Sequence, residues 1–248
     1  MKLNLKNKVV LLTGAGKGIG RAILNLLIEE KVIIYAITRN KQDFKNIKKN
    51  KNLFLFVGDV TNQEIINQIF LRAKKNKHKF NCLVNNAGIR QRKKFSDINK
   101  QDLNVIFENN FFSLFNMSQH FSKQFKYNKT MGSIINISSI VGNLGFSELA
   151  GYASTKAAID GLTKSLAAEF SKKKIRVNSI APGFVKSSYF KKFKKEKSKL
   201  YKWTLSRIPL KKWGENLDIA YLTLFLISEN SEYINGQVIK IDGGWTST

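Results

Sequence analysis

The sequence is poor in cysteine and proline, and each shortage narrows the kind of protein it can encode. Its 248 residues include one cysteine, Cys82, which cannot form a disulfide within the chain and lies in an apolar stretch typical of a buried thiol. With two prolines and no run rich in Pro, Gly or Ser, the chain shows no linker. We therefore expect a single domain over residues 1–248.

Long apolar runs are also missing. The longest fall far short of the ~18–20 residues that cross a bilayer, so we expect no membrane span. The polar segment from Met1 to Lys8 runs straight into a strand and predicts no signal or transit peptide. We expect a soluble, cytoplasmic protein, and no residue pattern predicts a metal site.

Acidic residues number 17 against 43 Lys and Arg, which gives a formal net charge of +26. Such a surface could attract nucleic acid, an anionic membrane or an acidic protein. However, 36 of the 43 basic residues are Lys, whereas recognition of phosphates and bases favours the fork of Arg. We interpret most of this charge as compositional drift and do not expect a nucleic-acid partner. A polyanion-binding or RNA-binding protein stays open as an alternative of a different class.

Short apolar segments alternate with helical segments along the chain, which predicts an α/β fold. The predicted strands are Lys8–Thr13, Val32–Thr38, Leu53–Val57, Cys82–Asn85, Ser133–Ser138, Ile175–Ala181 and Gln237–Ile241. The predicted helices are Arg21–Glu30, Glu64–Lys75, Leu103–Phe125 and Tyr152–Ser171. Strands that are apolar on both faces indicate a parallel sheet with helices on both sides. This is a doubly wound, Rossmann-type fold of seven strands, with its ligand crevice at the carboxyl ends of the strands.

A glycine-rich loop stands where the first strand passes into the first helix. Glycines there let the backbone turn and approach a pyrophosphate, which the helix N-terminus stabilises. The residues expected to contact a dinucleotide in this loop are Gly14, Gly16, Lys17, Gly18, Ile19 and Gly20.

The end of the second strand predicts which dinucleotide binds. An acid there would hold the ribose hydroxyls of NAD, but the segment Ala36 to Asn40 contains none. Thr38 and Arg39, together with Lys17, suit the 2′-phosphate of NADP(H), which we favour over NAD(H). The alternative is that Arg39 is one more surface cation.

Polar and small residues follow the third and fourth strands at the expected crevice. Asp59 and Val60 follow the third strand, and the segment Asn85-Asn86-Ala87-Gly88 follows the fourth. Asp59 could accept a hydrogen bond from the adenine amine or cap the next helix.

Tyr152 and Lys156 form a candidate proton-transfer pair. Four residues apart on a helix, they lie on one face, and a cation near a phenol lowers its pKa toward neutrality. Ser139 stands thirteen residues earlier and could hold the same substrate oxygen. Such groups suit proton transfer to a carbonyl oxygen. By itself a Tyr-x-x-x-Lys pair is more often a solvated surface pair.

Taken in order, these motifs resemble those of the short-chain dehydrogenase/reductase family over nearly the whole chain. Those that carry the resemblance are Thr13 to Gly20, Asn85 to Gly88, Asn110, Ser139, Tyr152 with Lys156, Pro182-Gly183 and Asp242-Gly243-Gly244. The resemblance implies an NAD(P)-dependent enzyme that interconverts a ketone and a secondary alcohol.

The resemblance also implies a role for each matching residue. Tyr152 would be the acid or base, Lys156 would bind the nicotinamide ribose and lower the Tyr152 pKa, and Ser139 would polarise the carbonyl. Asn110 would hold a water for proton relay, unless it only bonds backbone inside its helix. The residues similar to the loop beside the nicotinamide carboxamide are Pro182, Gly183, Val185 and Ser187, where the family usually has Thr at the last position.

The substrate is less well predicted. We expect residues 187–212 to form a lid whose aromatic residues either contact an acyl chain or, as we favour, form the underside of two helices. Arg90, Arg92 and Tyr189 are the candidate substrate contacts. The chain resembles both beta-ketoacyl-ACP reductases, whose partner is an acidic acyl carrier protein, and sugar-acid dehydrogenases of the gluconate 5-dehydrogenase type.

Family resemblance further implies a homotetramer. The helices expected to pair carry apolar residues that are equally explained by packing on the sheet, namely Phe111, Phe112, Phe115, Ala157, Leu162 and Leu166.

Overall fold

The computed structural model of the chain describes residues 3–47, 50–125, 131–186 and 190–247. The strands are β1 Val9–Thr13, β2 Ile33–Thr38, β3 Leu53–Val57, β4 Cys82–Asn85, β5 Gly132–Ile137, β6 Ile175–Pro182 and β7 Val238–Ile241. They form one parallel sheet in the order β3-β2-β1-β4-β5-β6-β7. The predicted seven-stranded parallel sheet is confirmed.

Helices cover both faces of this sheet. Those in the described ranges are α1 Gly18–Glu29, α2 Gln63–Lys75, α3 Lys100–Phe107, α4 Ser113–Ser122, α5 Ala150–Phe170, α6 Phe190–Glu196, α7 Ser198–Arg207 and α8 Asn216–Ile227. The side chains of β1 alternate between two cores. Val10 and Leu12 pack in the core that includes residues of α1 and α8, while Val9 and Leu11 pack in the core that includes residues of α2, α4 and α5.

The long helix predicted at Leu103–Phe125 differs from what the structure shows. It begins three residues earlier, at Lys100, because Asn99 and Asp102 bond each other's backbone N–H at 2.8 and 3.0 Å in a capping box. A π-helical turn at Glu108–Phe112 joins α3 to α4, and α4 ends at Ser122. Such wide turns are frequent at functional sites.

Helix α8 was not among the predicted helices. Its sequence is apolar on nearly all sides and therefore lacks the polar stripe that marks a surface helix. The structure explains the composition, because α8 packs against α1 and against β5 and β6 of the sheet, with Ile219, Ala220 and Leu224 buried.

The segment predicted as a lid forms α6 and α7. Phe190 and Phe193 of α6 and Tyr201 of α7 surround Trp213, with ring centroids 5.1 to 5.5 Å from it. Residues 187–189, which include the predicted contacts Ser187 and Tyr189, lie outside the described residues. Within the described ranges, no helix combines the length and apolarity needed to cross a membrane.

Candidate active site

The carboxyl ends of β1 and β4 meet at the centre of the sheet, where the strand order reverses direction. Thr13, the last residue of β1, joins them through its hydroxyl. The oxygen accepts the backbone N–H of Asn86 and of Ala87, both at 3.0 Å. The Asn86 amide in turn donates to the carbonyls of Thr13 and Gly14 at 3.2 and 2.9 Å. The two loops that begin here are therefore held together on one side of the crevice.

The glycine loop fits the backbone and diphosphate of a dinucleotide. Gly14 has a φ of +65°, and a Cβ at Gly20 would lie 2.0 Å from the Gly14 carbonyl oxygen. Helix α1 follows with no acid in its first turn and no side-chain cap from Lys17. Its N–H groups thus remain available to an anion.

A cavity of about 470 Å³ opens beside this loop and extends to the ends of β2 and β3. The predicted residues that line it are Gly14, Gly16, Lys17, Ile19, Thr38, Arg39, Val60, Asn86, Ala87 and Gly88. Gly18 begins α1, and Gly20 packs against Gly14 rather than lining the cavity. The position of this cavity suits an adenosine, and we call it the adenosine cavity.

An acid lies in this cavity that sequence reasoning missed. The segment after β2 turns back through a short helix at Lys41–Phe44, and the Asp43 carboxylate accepts the Thr38 hydroxyl at 2.8 Å. Lys17 Nζ lies 3.5 Å from the same carboxylate, whose side chain is only 10% exposed. The strand end itself contains no acid, but the turn that follows it brings Asp43 into the cavity.

Asp59 is not among the residues that line the cavity, although its neighbours Gly58 and Val60 are. Its carboxylate lies 4.0 Å from the Arg39 guanidinium and accepts both the backbone N–H and the hydroxyl of Thr61. The cap of α2 is Asn62, which accepts the Glu64 N–H at 2.7 Å. The alternative in which Asp59 caps this helix is therefore wrong.

A second cavity, of about 460 Å³, shares Ile19, Asn86, Gly88 and Ile89 with the first, so the two form one cleft. The predicted residues that line it are Ile19, Asn86, Gly88, Arg90, Ser139, Tyr152, Lys156, Pro182, Gly183 and Val185. Its outer wall is apolar and includes Leu149, Phe184, Phe190, Phe193 and Trp213. The three groups predicted for proton transfer thus meet at the inner end of an apolar pocket.

Tyr152 projects into this pocket from the first turn of α5. Burial raises its pKa, while the positive charge of Arg90 and a hydrogen bond with Ser139 act in the opposite direction. Arg90 follows β4, and burial lowers its own pKa. Arg90 is therefore a cation that favours the ionised phenol, in addition to Lys156, to which the resemblance assigned that effect.

Lys156 lies one turn further along α5 and is buried. Its Nζ donates to the Ile137 carbonyl at 2.8 Å and lies 5.6 Å from the centroid of the Tyr152 ring. Burial lowers its pKa to about 8, and Asp160 opposes that change. The ammonium is thus held at the carboxyl end of β5 with its charge sensitive to neighbouring groups.

Asn110 occupies the middle of the π turn and is 1% exposed. Its side chain bonds both backbone groups of Ile89, at 2.7 and 3.0 Å, and donates to the Thr155 hydroxyl at 3.1 Å. It therefore fixes the loop that carries Arg90 against α5, whereas the structural alternative for this residue placed its bonds inside its own helix.

The two arginines predicted to contact substrate lie in different surroundings. Arg90 lines the pocket, whereas Arg92 lies 3.5 Å from Glu148 in a half-exposed ion pair.

Elsewhere in the pocket wall, Val185 forms a β-bridge with Gly214, and Gly183 packs against Asp242 so closely that a Cβ on Gly183 would come within 2.8 Å of Asp242. Phe184 and Trp213 form an aromatic wall of this pocket and were not among the predicted site residues.

Comparison with known proteins agrees with this geometry. Residues 14–246 match the family described as enoyl-(acyl carrier protein) reductase. The chain is 33% identical over 247 residues to the 3-oxoacyl-[acyl-carrier-protein] reductase FabG of Thermotoga maritima, covering 98% of this chain and 99% of that protein. It is also 33% identical over 244 residues to the reductase of that name from Vibrio cholerae, covering 98% of each.

Solved structures give a similar result. A 4-hydroxyisoleucine dehydrogenase complexed with NADH superposes with a TM-score of 0.91 at 31% identity, over 98% of this chain and 100% of that one. A putative gluconate dehydrogenase from Agrobacterium tumefaciens superposes with a TM-score of 0.89 at 28% identity, over 99% and 98% of the two chains.

The junction at Thr13 can be tested directly. Thr13→Val keeps the shape but leaves two backbone N–H groups without their acceptor, so we expect a loss of about 1–3 kcal/mol in unfolding free energy and weaker binding of a nicotinamide dinucleotide. Thr13→Ser, which keeps the hydroxyl, is the control. Urea unfolding and fluorescence titration measure both effects, and a valine variant equal to wild type would contradict the role.

Proposed function

Because the chain belongs to the short-chain dehydrogenase/reductase family, we propose that this NAD(P)-dependent oxidoreductase uses NADP(H) to interconvert a ketone and a secondary alcohol. We further propose that its substrate is a 3-oxoacyl thioester and that it acts in the cytoplasm. The observation that supports the chemistry most strongly is the meeting of Ser139, Tyr152 and Lys156 in the second cavity, which is continuous with the first.

A bound nicotinamide would supply or accept the hydride. In the direction of reduction, the Ser139 hydroxyl donates to the substrate carbonyl oxygen and holds it beside the Tyr152 phenol. Tyr152 transfers its proton to that oxygen as negative charge develops there. Lys156 then stabilises the phenolate and binds the ribose, and Asn110 keeps Ile89 and Arg90 in place around the pocket. Arg90 adds a positive charge that favours the same proton transfer.

The pocket wall favours an acyl chain over a polyol. A sugar acid would need hydrogen-bond partners along its whole length, whereas Leu149, Phe184, Phe190, Phe193 and Trp213 offer apolar surface. Arg90 can bond the second carbonyl of a 3-oxoacyl group. The alternative substrate is a keto-sugar acid, whose carboxylate Arg90 would pair, and the structural likeness to a putative gluconate dehydrogenase supports it.

The proposed partner is an acidic acyl carrier protein. A chain of net charge +26 would steer such a partner toward it. The alternative of a different class is a protein that binds RNA or another polyanion. Such a protein would not need the catalytic groups. The presence of Ser139, Tyr152 and Lys156 in one pocket favours the enzyme.

Two opposing groups bear on the choice between NADP and NAD. Arg39 and Lys17 line the adenosine cavity and suit a 2′-phosphate, while Asp43 suits free ribose hydroxyls. Asp43 is already engaged by Thr38 and Lys17, and Arg39 stays 60% exposed in its side chain. We propose NADP(H) because the ion pair of the exposed Arg39 with Asp59 is long, at 4.0 Å, whereas the Asp43 side chain is only 10% exposed and is held by closer partners.

Turnover tests the reaction and the substrate. We expect NADPH-dependent reduction of acetoacetyl thioesters, measured by absorbance, and little reduction of keto-sugar acids. Tyr152→Phe removes the proton donor and should lower kcat by at least about 100-fold, the usual contribution of a general acid, with NADPH affinity unchanged.

Two results would contradict this proposal. A Tyr152→Phe variant with full activity would show that the phenol does not transfer the proton. No turnover on either substrate, together with salt-dependent RNA binding, would favour the polyanion-binding alternative.

Cofactor choice is tested by two substitutions of opposite sign. Arg39→Ala should raise the KM for NADPH by about 10-fold or more while leaving that for NADH nearly unchanged, since a charged hydrogen bond contributes about 1.5–3 kcal/mol. Asp43→Asn should shift selectivity further toward NADPH. Lys41→Ala, which removes an exposed cation of the neighbouring turn, is the control. Equal effects on both cofactors would contradict the assignment.

We also propose that the chain assembles as a homotetramer. Phe107, Phe111, Phe112 and Phe115 form an aromatic row along the helix from α3 to α4, and Phe112 is 45% exposed. Leu166 of α5, in contrast, packs against the core of its own chain. The aromatic row supports an interface with a second copy.

Assembly should depend on salt, because chains of charge +26 repel one another. Between about 0.01 M and about 0.15 M salt the Debye length falls from about 30 to about 8 Å, so we expect the mass measured by light scattering to rise. Phe112→Ser should lower that mass. Leu71→Ser, at a 64% exposed residue of α2, should not. If the measured mass changes neither with salt nor in Phe112→Ser, this interface is contradicted.

A further inference from the structure

Helix α5 carries a buried acid that the mechanism above does not use. Asp160 follows Lys156 by one helical turn and is 6% exposed. Among the residues that the structure describes, Asp160 is the one buried carboxylate. A buried carboxylate is strongly unfavourable unless it is paired and hydrogen-bonded, so its surroundings indicate what it does.

The carboxylate joins three parts of the fold. Oδ2 accepts the side-chain amide of Asn143 at 3.0 Å, and Oδ1 accepts the Ser179 hydroxyl at 3.2 Å. The Ser138 hydroxyl donates to the Lys156 carbonyl at 3.3 Å and also acts to lower the pKa of Asp160. Ser179 belongs to β6, while Ser138 and Asn143 stand on either side of Ser139 in the loop after β5.

That loop passes very close to the acid. A Cβ at Gly142 would lie 3.2 Å from Asp160 Oδ2 and 3.0 Å from the Lys156 carbonyl carbon. The short helix Ile140–Gly142, which follows Ser139, is therefore packed directly on the turn of α5 that runs from Lys156 to Asp160. The position of Ser139 depends on this contact.

We propose that Asp160 is a positioning residue whose buried negative charge keeps Lys156 protonated and whose hydrogen bonds hold the Ser139 loop against α5. This inference rests on the proposed function, because it takes Lys156 and Ser139 to act in the reaction.

Electrostatics supports the pairing. Burial lowers the pKa of Lys156 to about 8, and the charge of Asp160 acts in the opposite direction. Burial raises the pKa of Asp160, while the Ser138 hydroxyl, hydrogen bonds from Ser179 and Asn143, and the charge of Lys156 act to lower it. The charged groups of this pair thus act on each other. Arg90, across the pocket, acts on Tyr152 instead.

The consequence for catalysis has a definite sign. Reduction needs a protonated Tyr152 and a charged Lys156, so activity falls when either loses its proton. A nearby negative charge raises the pKa of both a phenol and an ammonium. Removing that charge therefore shifts the alkaline limb of the pH profile to lower pH, whether Tyr152 or Lys156 determines that limb.

Asp160→Asn tests the charge with little change in shape. In NADPH-dependent reduction of an acetoacetyl thioester, we expect the alkaline limb of the kcat/KM profile to shift to lower pH by about one unit or more. Ser179→Ala is the matched control. It removes one hydrogen bond of the same cluster but keeps the carboxylate, so it should lower Tm while leaving the limb in place.

A second measurement does not need turnover. In protein labelled with ¹³C-lysine, the Lys156 signal is identified by its loss in Lys156→Gln, and its titration should shift to lower pH in Asp160→Asn. Should that variant not fold, Asp160→Ser, which keeps a hydroxyl for the surrounding donors, takes its place.

The outcomes separate this inference from the proposed function. If Tyr152→Phe is inactive but the limb and the Lys156 titration are unchanged without Asp160, the inference is wrong and the function stands. If Tyr152→Phe keeps full activity, the proposed function fails whatever Asp160 does.

Discussion

The hydroxyl of Thr13 is the contact on which the rest of the site depends. It is the point where β1 and β4 meet, and the chain winds away from that point in opposite directions on its two sides. By accepting two N–H groups of the loop after β4, it fixes the glycine loop and the Asn86–Arg90 segment relative to each other. The adenosine cavity lies on one side of this junction and the reaction pocket on the other. Neither cavity would keep its shape if the two loops separated.

Within the reaction pocket, burial decides how charge behaves. Tyr152 and Lys156 both lose solvent, which raises the pKa of the first and lowers that of the second, so each is pushed toward its neutral form. Arg90 and Asp160 act against these changes from opposite sides of α5. Burial thus brings the pKa of Lys156 to about 8, whereas the pKa of Tyr152 stays raised despite the charge of Arg90. The aromatic wall lowers the local dielectric, which strengthens these interactions.

The adenosine cavity shows a similar balance. Asp43, Lys17 and Thr38 form a compact set of partners, and Arg39 reaches Asp59 across the rim. Because an acid and two cations share this space, cofactor preference depends on which of them is already engaged when the dinucleotide arrives. The same reasoning applies to Arg90 and Arg92, of which one faces the pocket and the other pairs with Glu148.

The sequence by itself determined the alternation of strands and helices, the parallel sheet, the glycine loop and the spacing of Ser139, Tyr152 and Lys156. These follow from local periodicity and from residues close together in the chain. The uniformly apolar α8 escaped prediction because it has no polar face to reveal its period. Only the tertiary structure decided that Asp43 turns back into the cavity, that Asn110 bonds Ile89 through a π turn, and that Asp160 meets Ser138, Asn143 and Ser179. The physical reason is that these contacts join separate elements, and the pKa of a buried group depends on the neighbours that folding brings to it.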